Sequence, residues 1–370
     1  MDKTRRNFIK KTSLATGALT FGVANGLSAQ SYRKIMGAND RVRVGIVGFS
    51  NRAKGALIPA FVGNQKNMNF EIVGVSDIWN RRREEGAAYI KEKDGNKAKM
   101  WRNNEEMYET NSIDAVIIST ADFQHALHTV QAANAKKDAY VEKPFAETME
   151  DARLGRKAVE ESGIVFQIGS QRRSGANYHA ANQYIKSGKF GDIMMVEMSW
   201  NVNQPGRWRL PKLTKEIRES DTDWKRYLMN RPYEAWDPRK YLEYRLFWPY
   251  SSGIPGQWMS HQIDTVHWFS GLDHPRSVAA NGGIYLWKDG RKNFDTMTAV
   301  FDYGETNNPK NGFQVVYSSR FTNSAGGTKE IYYSNGGELN LKTNKVSSNG
   351  GLSRGQAKRM GMDANLLPDY

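Results

Sequence analysis

The feature that most constrains this chain is an alternation of two hydrophobic periods between residues 43 and 170. "RVGIVG" (43–48), "FEIVGVSD" (70–77), "IDAVIIST" (113–120), "DAYVEKP" (138–144) and "IVFQIGS" (164–170) are short apolar runs. Runs of that kind mark strands buried on both faces. Between them lie helix-like stretches at 53–64, after Asp77, at 122–135 and at 148–162. Strands that alternate with helices need crossover connections, and hence a parallel sheet covered on both sides. The expectation is an α/β, doubly wound parallel domain over residues 40–170.

The pattern then changes. A helix is expected at 177–187. Longer runs follow at "DIMMVEMSW" (192–200), "RSVAANGGIYLW" (276–287), "DTMTAVFDY" (295–303), "GFQVVYSSRF" (312–321) and "KEIYYS" (329–334). They predict a second, α+β domain over 171–342 with a mostly antiparallel open sheet. A loop-rich stretch dense in Trp, Arg and Pro fills 201–256, and 343–370 reads as a polar tail.

Composition closes several function classes. The chain has no cysteine, which excludes disulfides, thiolate metal sites, cysteine nucleophiles and a cysteine-borne lipid anchor. The net charge is +14, yet the Lys and Arg are scattered rather than gathered into a strip, which argues against a nucleic-acid partner. His261 and His267 sit about 240° apart around a helix, so no shared metal is expected. After the N-terminus no apolar run approaches the ~18 residues of a membrane span. Residues 1–29 have a basic head, a weakly apolar middle and a small-residue finish, the layout of an export signal. "TRRNFIK" (4–10), with Arg5, Arg6, Phe8 and Lys10, matches the twin-arginine pattern. The expectation is export in the folded state by the twin-arginine machinery to the periplasm, with the signal removed.

Dinucleotide binding needs a strand, a Gly-rich turn into a helix, and an acid closing the next strand. The turn here is "GFSNRA". Gly48 holds the first glycine position, Ser50 replaces the second and Ala53 the third, with Asn51 and Arg52 on the turn between them. Asp77 is the acid. It favours NAD, because a carboxylate there repels a 2′-phosphate. Arg81, Arg82 and Arg83 leave NADP open, although the run reads as a solvated helix face. Ser119, Thr120 and His125 in "STADFQH", and Glu142 and Lys143 in "YVEKPFAET", fall at the C-terminal ends of the next strands, where open α/β sheets bind ligands.

"GIVGFSNRAKGAL", "VSDIW", "VIISTADFQHALH", "VEKPFAET" and "GSQRRSGANYHAANQYIKSGKFGDI" together resemble the Gfo/Idh/MocA oxidoreductase family over about residues 41–340. The resemblance implies an N-terminal Rossmann domain, a second α/β domain, a site between them and a carbohydrate substrate. It makes Lys143 catalytic and gives His261 the family's histidine position, with Gln257 where the family has an acid. On this reading His261 takes the hydroxyl proton, Lys143 steadies the alkoxide, Asp264 orients His261, and Gln257 binds a sugar hydroxyl. Trp208, Arg209 and Trp258 are the expected substrate contacts, followed by Arg172, Tyr178 and His179. The resemblance also implies a homo-oligomer through the open sheet. Three functions stay in view: an exported NAD-dependent carbohydrate oxidoreductase with tightly held cofactor, an NAD-retaining glycosidase, and a non-enzymatic sugar-binding protein.

Overall fold

The computed structural model describes residues 41–305 and 308–348, with 350, 355 and 359 besides. The expected signal at 1–29 and most of the expected tail lie outside the described residues. The first sheet holds β1 (Val42–Val47), β2 (Phe70–Ser76), β3 (Lys99–Trp101), β4 (Ala115–Ile118), β5 (Asp138–Val141) and β6 (Phe166–Ile168). All pairings are parallel, in the order β3-β2-β1-β4-β5-β6. The continuous apolar runs have the expected cause. On β1, Val44 and Ile46 pack into one cluster with Leu57, Ile58 and Ile90. Val47 faces the opposite cluster, with Trp101, Met107 and Val141. The chain moves outward from β1 to β3 and returns to start β4, so the strand order reverses between β1 and β4. A crevice opens there at the C-terminal strand ends.

Caps end the helices where the sequence signals them. The Thr148 hydroxyl accepts from the Asp151 N–H at 3.1 Å and starts Met149–Ser162, which Gly163 closes at φ +69°. Strand β3 and the helix Asn104–Glu109 were not foreseen, being too short for a periodic signal.

The second sheet holds β7 (Ile193–Asn201), β8 (Ser277–Gly283), β9 (Thr296–Glu305), β10 (Asn308–Arg320), β11 (Thr328–Ser334), β12 (Gly337–Asn340) and β13 (Lys345–Ser347). Its order is β13-β12-β11-β7-β10-β9-β8. Only the β7–β10 pairing is parallel. One face packs on the helices Ala176–Lys186 and Ser260–Ser270 through Val196, Val315, Tyr317 and Tyr332. The region expected to be tail therefore begins with a strand: β13 pairs with β12 and buries Val346.

The 201–256 segment carries only short helical turns, yet it is firmly attached to the first domain. Phe123, fully buried, meets Tyr227 at 5.4 Å and Tyr250 at 5.3 Å, both edge to face. Each such buried aromatic stabilises by roughly 1.5–3 kcal/mol. Buried Asp151 accepts from Asn230 at 2.7 Å and pairs with Arg231 at 3.1 Å. Glu243, whose side chain has no exposure, pairs with Arg209 and Arg239, each at 2.9 Å. It also accepts the Leu210 N–H at 2.7 Å.

Removing one member of such a buried network strands the others. Glu243→Ala is expected to cost about 3–5 kcal/mol, read as a lower urea midpoint. A midpoint equal to wild type would show that Glu243 does not hold the segment.

Candidate active site

Gly48 makes the turn that follows β1. Its φ is +83° and its N–H donates to the Ser76 carbonyl at 2.8 Å. A Cβ here would lie 2.7 Å from Thr120 Cγ2 and 2.9 Å from the Ser119 carbonyl oxygen, so both conformation and space demand glycine. Ser50, where a second glycine was expected, has a role of its own. Its Oγ accepts from the Ala53 N–H at 3.1 Å and lies 2.6 Å from Ser119 Oγ, tying the turn after β1 to the end of β4.

Asp77 Oδ2 accepts the Phe49 N–H at 2.8 Å, and Oδ1 accepts the Trp79 N–H at 2.9 Å. Burial pushes this carboxyl upward, against those two donors and the nearby Arg82 and Arg83. The Arg run is not a uniformly solvated face. Arg81 is half exposed and bonds Glu85 and Glu216. Arg82 is largely covered, lies 5.7 Å from the Trp79 ring centre, and donates to Asn51 Oδ1 at 3.1 Å. Arg83 donates to the Asp77 carbonyl at 2.7 Å.

These residues line a cavity of about 550 Å³. Gly48, Ser50, Asp77, Ser119 and Thr120 form its floor, and Tyr227, Tyr241, Tyr244 and Arg245 of the 201–256 segment roof it. A nicotinamide dinucleotide fits this donor set: the glycine turn leaves a cradle that a Cβ would fill. The Thr120 hydroxyl is buried without a partner among the described residues. At the rim, Arg52 donates to Glu142 at 2.8 Å and to Gln171 at 3.1 Å. His125, expected to touch cofactor, does not line the cavity. It is buried with Nδ1 2.7 Å from the Pro144 carbonyl, so Nδ1 carries the proton and pins the backbone next to Lys143.

Lys143 follows the end of β5. Its ammonium donates to the Gln257 carbonyl at 2.8 Å. Burial lowers its pKa to about 8; Asp122 opposes the shift and Arg245 adds to it. Gln257 holds the position where an acid was missing. Its side-chain amide donates to Asp122 Oδ2 at 2.6 Å, and the Ser251 hydroxyl donates to the same oxygen at 2.6 Å. Gln257 thus has one of its amide donors engaged with Asp122. The carboxylate comes from the end of β4 instead, through a residue that sequence reasoning passed over. Its signal was an acid inside "STADFQH", just beyond a strand end. Glu147 is also buried beside Ser252; burial first, and Asp122 second, push its carboxyl up.

His261 sits one turn past Gln257. Burial lowers its pKa to about 3, with Lys143, Arg172 and Arg52 adding, so the imidazole is neutral. Its ring centre lies 5.8 Å from that of Trp200. Asp264 does not orient it, because both oxygens of that carboxylate hold Arg173, at 2.9 and 3.1 Å. His179 Nε2 belongs to the same outer cluster, 2.8 Å from the Arg173 carbonyl.

The other expected substrate contacts divide. Arg209 is engaged with Glu243 and Asp289, and is no longer a free contact. Trp258 is only 5% exposed, stacked on Trp200 at 5.7 Å and edge-on to Phe321 at 4.4 Å; it is core. Trp208 is half-buried against Phe321 at 4.9 Å. Arg172 is paired with buried Glu330, to which Tyr178 donates at 3.2 Å. Among the described residues no helix is long and apolar enough to cross a membrane, and no group of three or more His, Asp or Glu could hold a metal.

Residues 42–170 match the model of an oxidoreductase family with an NAD-binding Rossmann fold, Gfo/Idh/MocA. Among similar proteins is a 1,5-anhydro-D-fructose reductase of Ensifer adhaerens, 32% identical over 41% of this chain and 48% of its own length. Another is an inositol 2-dehydrogenase of Salmonella typhimurium, 25% identical over 57% of this chain and 60% of its own. The chain thus spans about half the length of these curated relatives. Among solved structures, the WlbA dehydrogenase of Bordetella pertussis, in complex with NADH and UDP-GlcNAcA, aligns at a TM-score of 0.63 and 19% identity. It covers 83% of this chain and 76% of that one. A levoglucosan dehydrogenase in complex with NADH aligns at 0.61 and 17% identity, with the same coverage. At such identity these two likenesses show the fold.

Asp122 raises the pKa of Lys143 by its charge. Asp122→Asn is therefore expected to lower the Lys143 titration midpoint below about 8, as followed by nitrogen NMR of the lysine ammonium. An unmoved midpoint would mean that the carboxylate does not act on Lys143.

Proposed function

The chain belongs to the Gfo/Idh/MocA oxidoreductases, and we propose that it is an exported, nicotinamide-dependent enzyme that interconverts a carbohydrate hydroxyl and its ketone. One observation carries the reading. An ammonium tuned to about 8, Lys143, is bonded to the helix turn that presents neutral His261, beside a glycine-cradled cavity. The names of the relatives, an anhydrofructose reductase and an inositol dehydrogenase, support a carbohydrate or polyol substrate.

In this reading Gly48, Ser50, Asn51, Asp77, Ser119 and Thr120 hold NAD, which supplies a hydride acceptor when bound. Asp77 favours NAD, while Arg82 behind it gives a 2′-phosphate a cation to meet, so the preference for NAD over NADP is moderate. The electrostatics favour exchanging the two expected catalytic roles. With its pKa near 3, His261 accepts a hydrogen bond from the substrate hydroxyl and positions it, but holds a proton poorly at neutral pH. Lys143, near 8, is about one-tenth neutral at pH 7 and takes the proton. In the reducing direction its ammonium returns that proton to the carbonyl oxygen. The sheet edges and the second domain's exposed Met194, Val278 and Leu286 suit a homo-oligomer.

The test is nucleotide reduction with a panel of sugars and polyols. Oxidation should accelerate as pH rises through about 8, because only neutral Lys143 accepts the proton. Lys143→Met should slow it at least ~100-fold while nucleotide binding persists. A variant within about tenfold of wild type, ~1.4 kcal/mol in barrier, would defeat the assignment.

The tyrosine roof favours a second reading, an NAD-retaining glycosidase, in which a ring carbon is oxidised, the aglycone eliminated, water added and the carbon reduced again. A covered cofactor suits a redox-neutral cycle, and the twin-arginine pattern of Arg5 and Arg6 suits a cofactor loaded before export. Mature protein taken from the periplasm, dialysed for a day and then denatured should release close to one NAD per chain. Empty protein would overturn cofactor export and remove the support for this second reading.

A further inference from the structure

Arg207 stands apart from the arginines around it. Arg52 pairs with Glu142, Arg172 with Glu330, Arg209 with Glu243, and Arg245 approaches Asp122. Arg207 has no acid within ion-pair distance among the described residues. Its Nε is buried with no hydrogen-bond partner. Its guanidinium lies 5.6 Å from the ring centre of Trp208 and 5.7 Å from that of Trp258, contacts that hold the plane in place while satisfying none of its N–H donors. Burial lowers its pKa, and Arg245 adds to the effect by repulsion. A half-buried, desolvated cation with idle donors and a cationic neighbour is costly until an anion arrives.

Position makes this more than a surface accident. Trp258 stacks on Trp200, and the Trp200 ring in turn neighbours His261. One aromatic wall thus runs from the Arg207 guanidinium to the imidazole. Arg172 lies over that wall, 5.4 Å from the Trp200 ring centre. Lys143, Arg172 and Arg52 all bear on His261, and no acid is among the groups that shift it. Trp258 is core, so a substrate meets only the partly open Trp200 and Trp208 at the ends of that wall; with its reacting hydroxyl at His261 and Lys143 beside Trp200, a substituent reaching Trp208 would meet Arg207. We propose that this substituent is a carboxylate, so that the substrate is an acidic sugar, a uronic or aldonic acid, held at Arg207 by paired N–H donors. The planar guanidinium matches a carboxylate in bidentate fashion. The inference rests on the carbohydrate reading above and names its substrate class.

The experiment is binding, measured separately from turnover. Tryptophan fluorescence follows titration of the NAD-supplied protein with glucuronate, galacturonate and gluconate, each against its neutral counterpart glucose, galactose or sorbitol. At least one acid should bind more tightly than its counterpart by at least about tenfold, the gain typical of a charge-assisted bond, and the margin should shrink as NaCl is raised. Arg207→Met should erase it, Arg207→Lys should keep part of it, and Arg156→Met, on a remote exposed helix face, should leave it unchanged. Equal affinity for every pair in the wild type would overturn the inference. So would a margin that survives Arg207→Met, or a preference for sugar sulfates or phosphates over all the carboxylates. Reduction of NAD by neutral sugars with no such margin would leave the enzymatic reading standing and the acid-sugar inference refuted. Acid binding at Arg207 without any NAD reduction would do the reverse.

Discussion

Everything around Lys143 and His261 depends on one buried carboxylate. Asp122 leaves the end of a first-sheet strand and accepts two short hydrogen bonds from the far side of the molecule, from Gln257 and Ser251. The first fixes the turn whose carbonyl receives Lys143 and which leads into the helix carrying His261. The second fixes the end of the 201–256 roof. Asp122 therefore sets both the geometry and the charge of the site. Without its field the lysine, already lowered by burial, would lose a main opposing influence. Set behind Gln257 rather than on the helix turn itself, the carboxylate stays dry and acts at a distance, where low dielectric makes its charge count for more.

Much of this was legible in the sequence. Both sheets and their contrasting patterns followed from apolar runs in one half and longer alternating strands in the other. Gly48, Asp77 and Lys143 were legible because each is defined by what precedes it: a buried strand and a turn. What escaped was set by partners far along the chain. Asp264 looked available to His261 until Arg173, 91 positions away, proved to hold it. Arg209 looked like a substrate contact until it was found on Glu243, and Trp258 until Phe321 covered its edge. Strands β12 and β13 escaped for a different reason: at four and three residues they are shorter than any period can be measured.

Arg207 shows the converse. In the sequence it is one basic residue in "PGRWRLP", and its neighbour Arg209 looked equally suited to a ligand. Only a census of partners separates them. Arg209 is ion-paired with Glu243 and Asp289, and Arg207 has no acid within ion-pair distance among the described residues. The same census turns Ser50 from a flawed glycine position into a hydroxyl that links two strand ends.

The roof over the nucleotide cavity has a kinetic consequence. It is not a hinged flap with a polar underside. Tyr227 and Tyr250 are wedged against Phe123, and Arg231 and Asn230 are moored to Asp151. Lifting it means breaking aromatic packing and a buried ion pair together, a piece of local unfolding rather than a loop swing. The passage of any molecule beneath it then inherits the thermal signature of unfolding, quickening some 3–6-fold for each 10 °C. Exchange beneath the roof, whatever its absolute rate, would then respond to warming far more steeply than diffusion does.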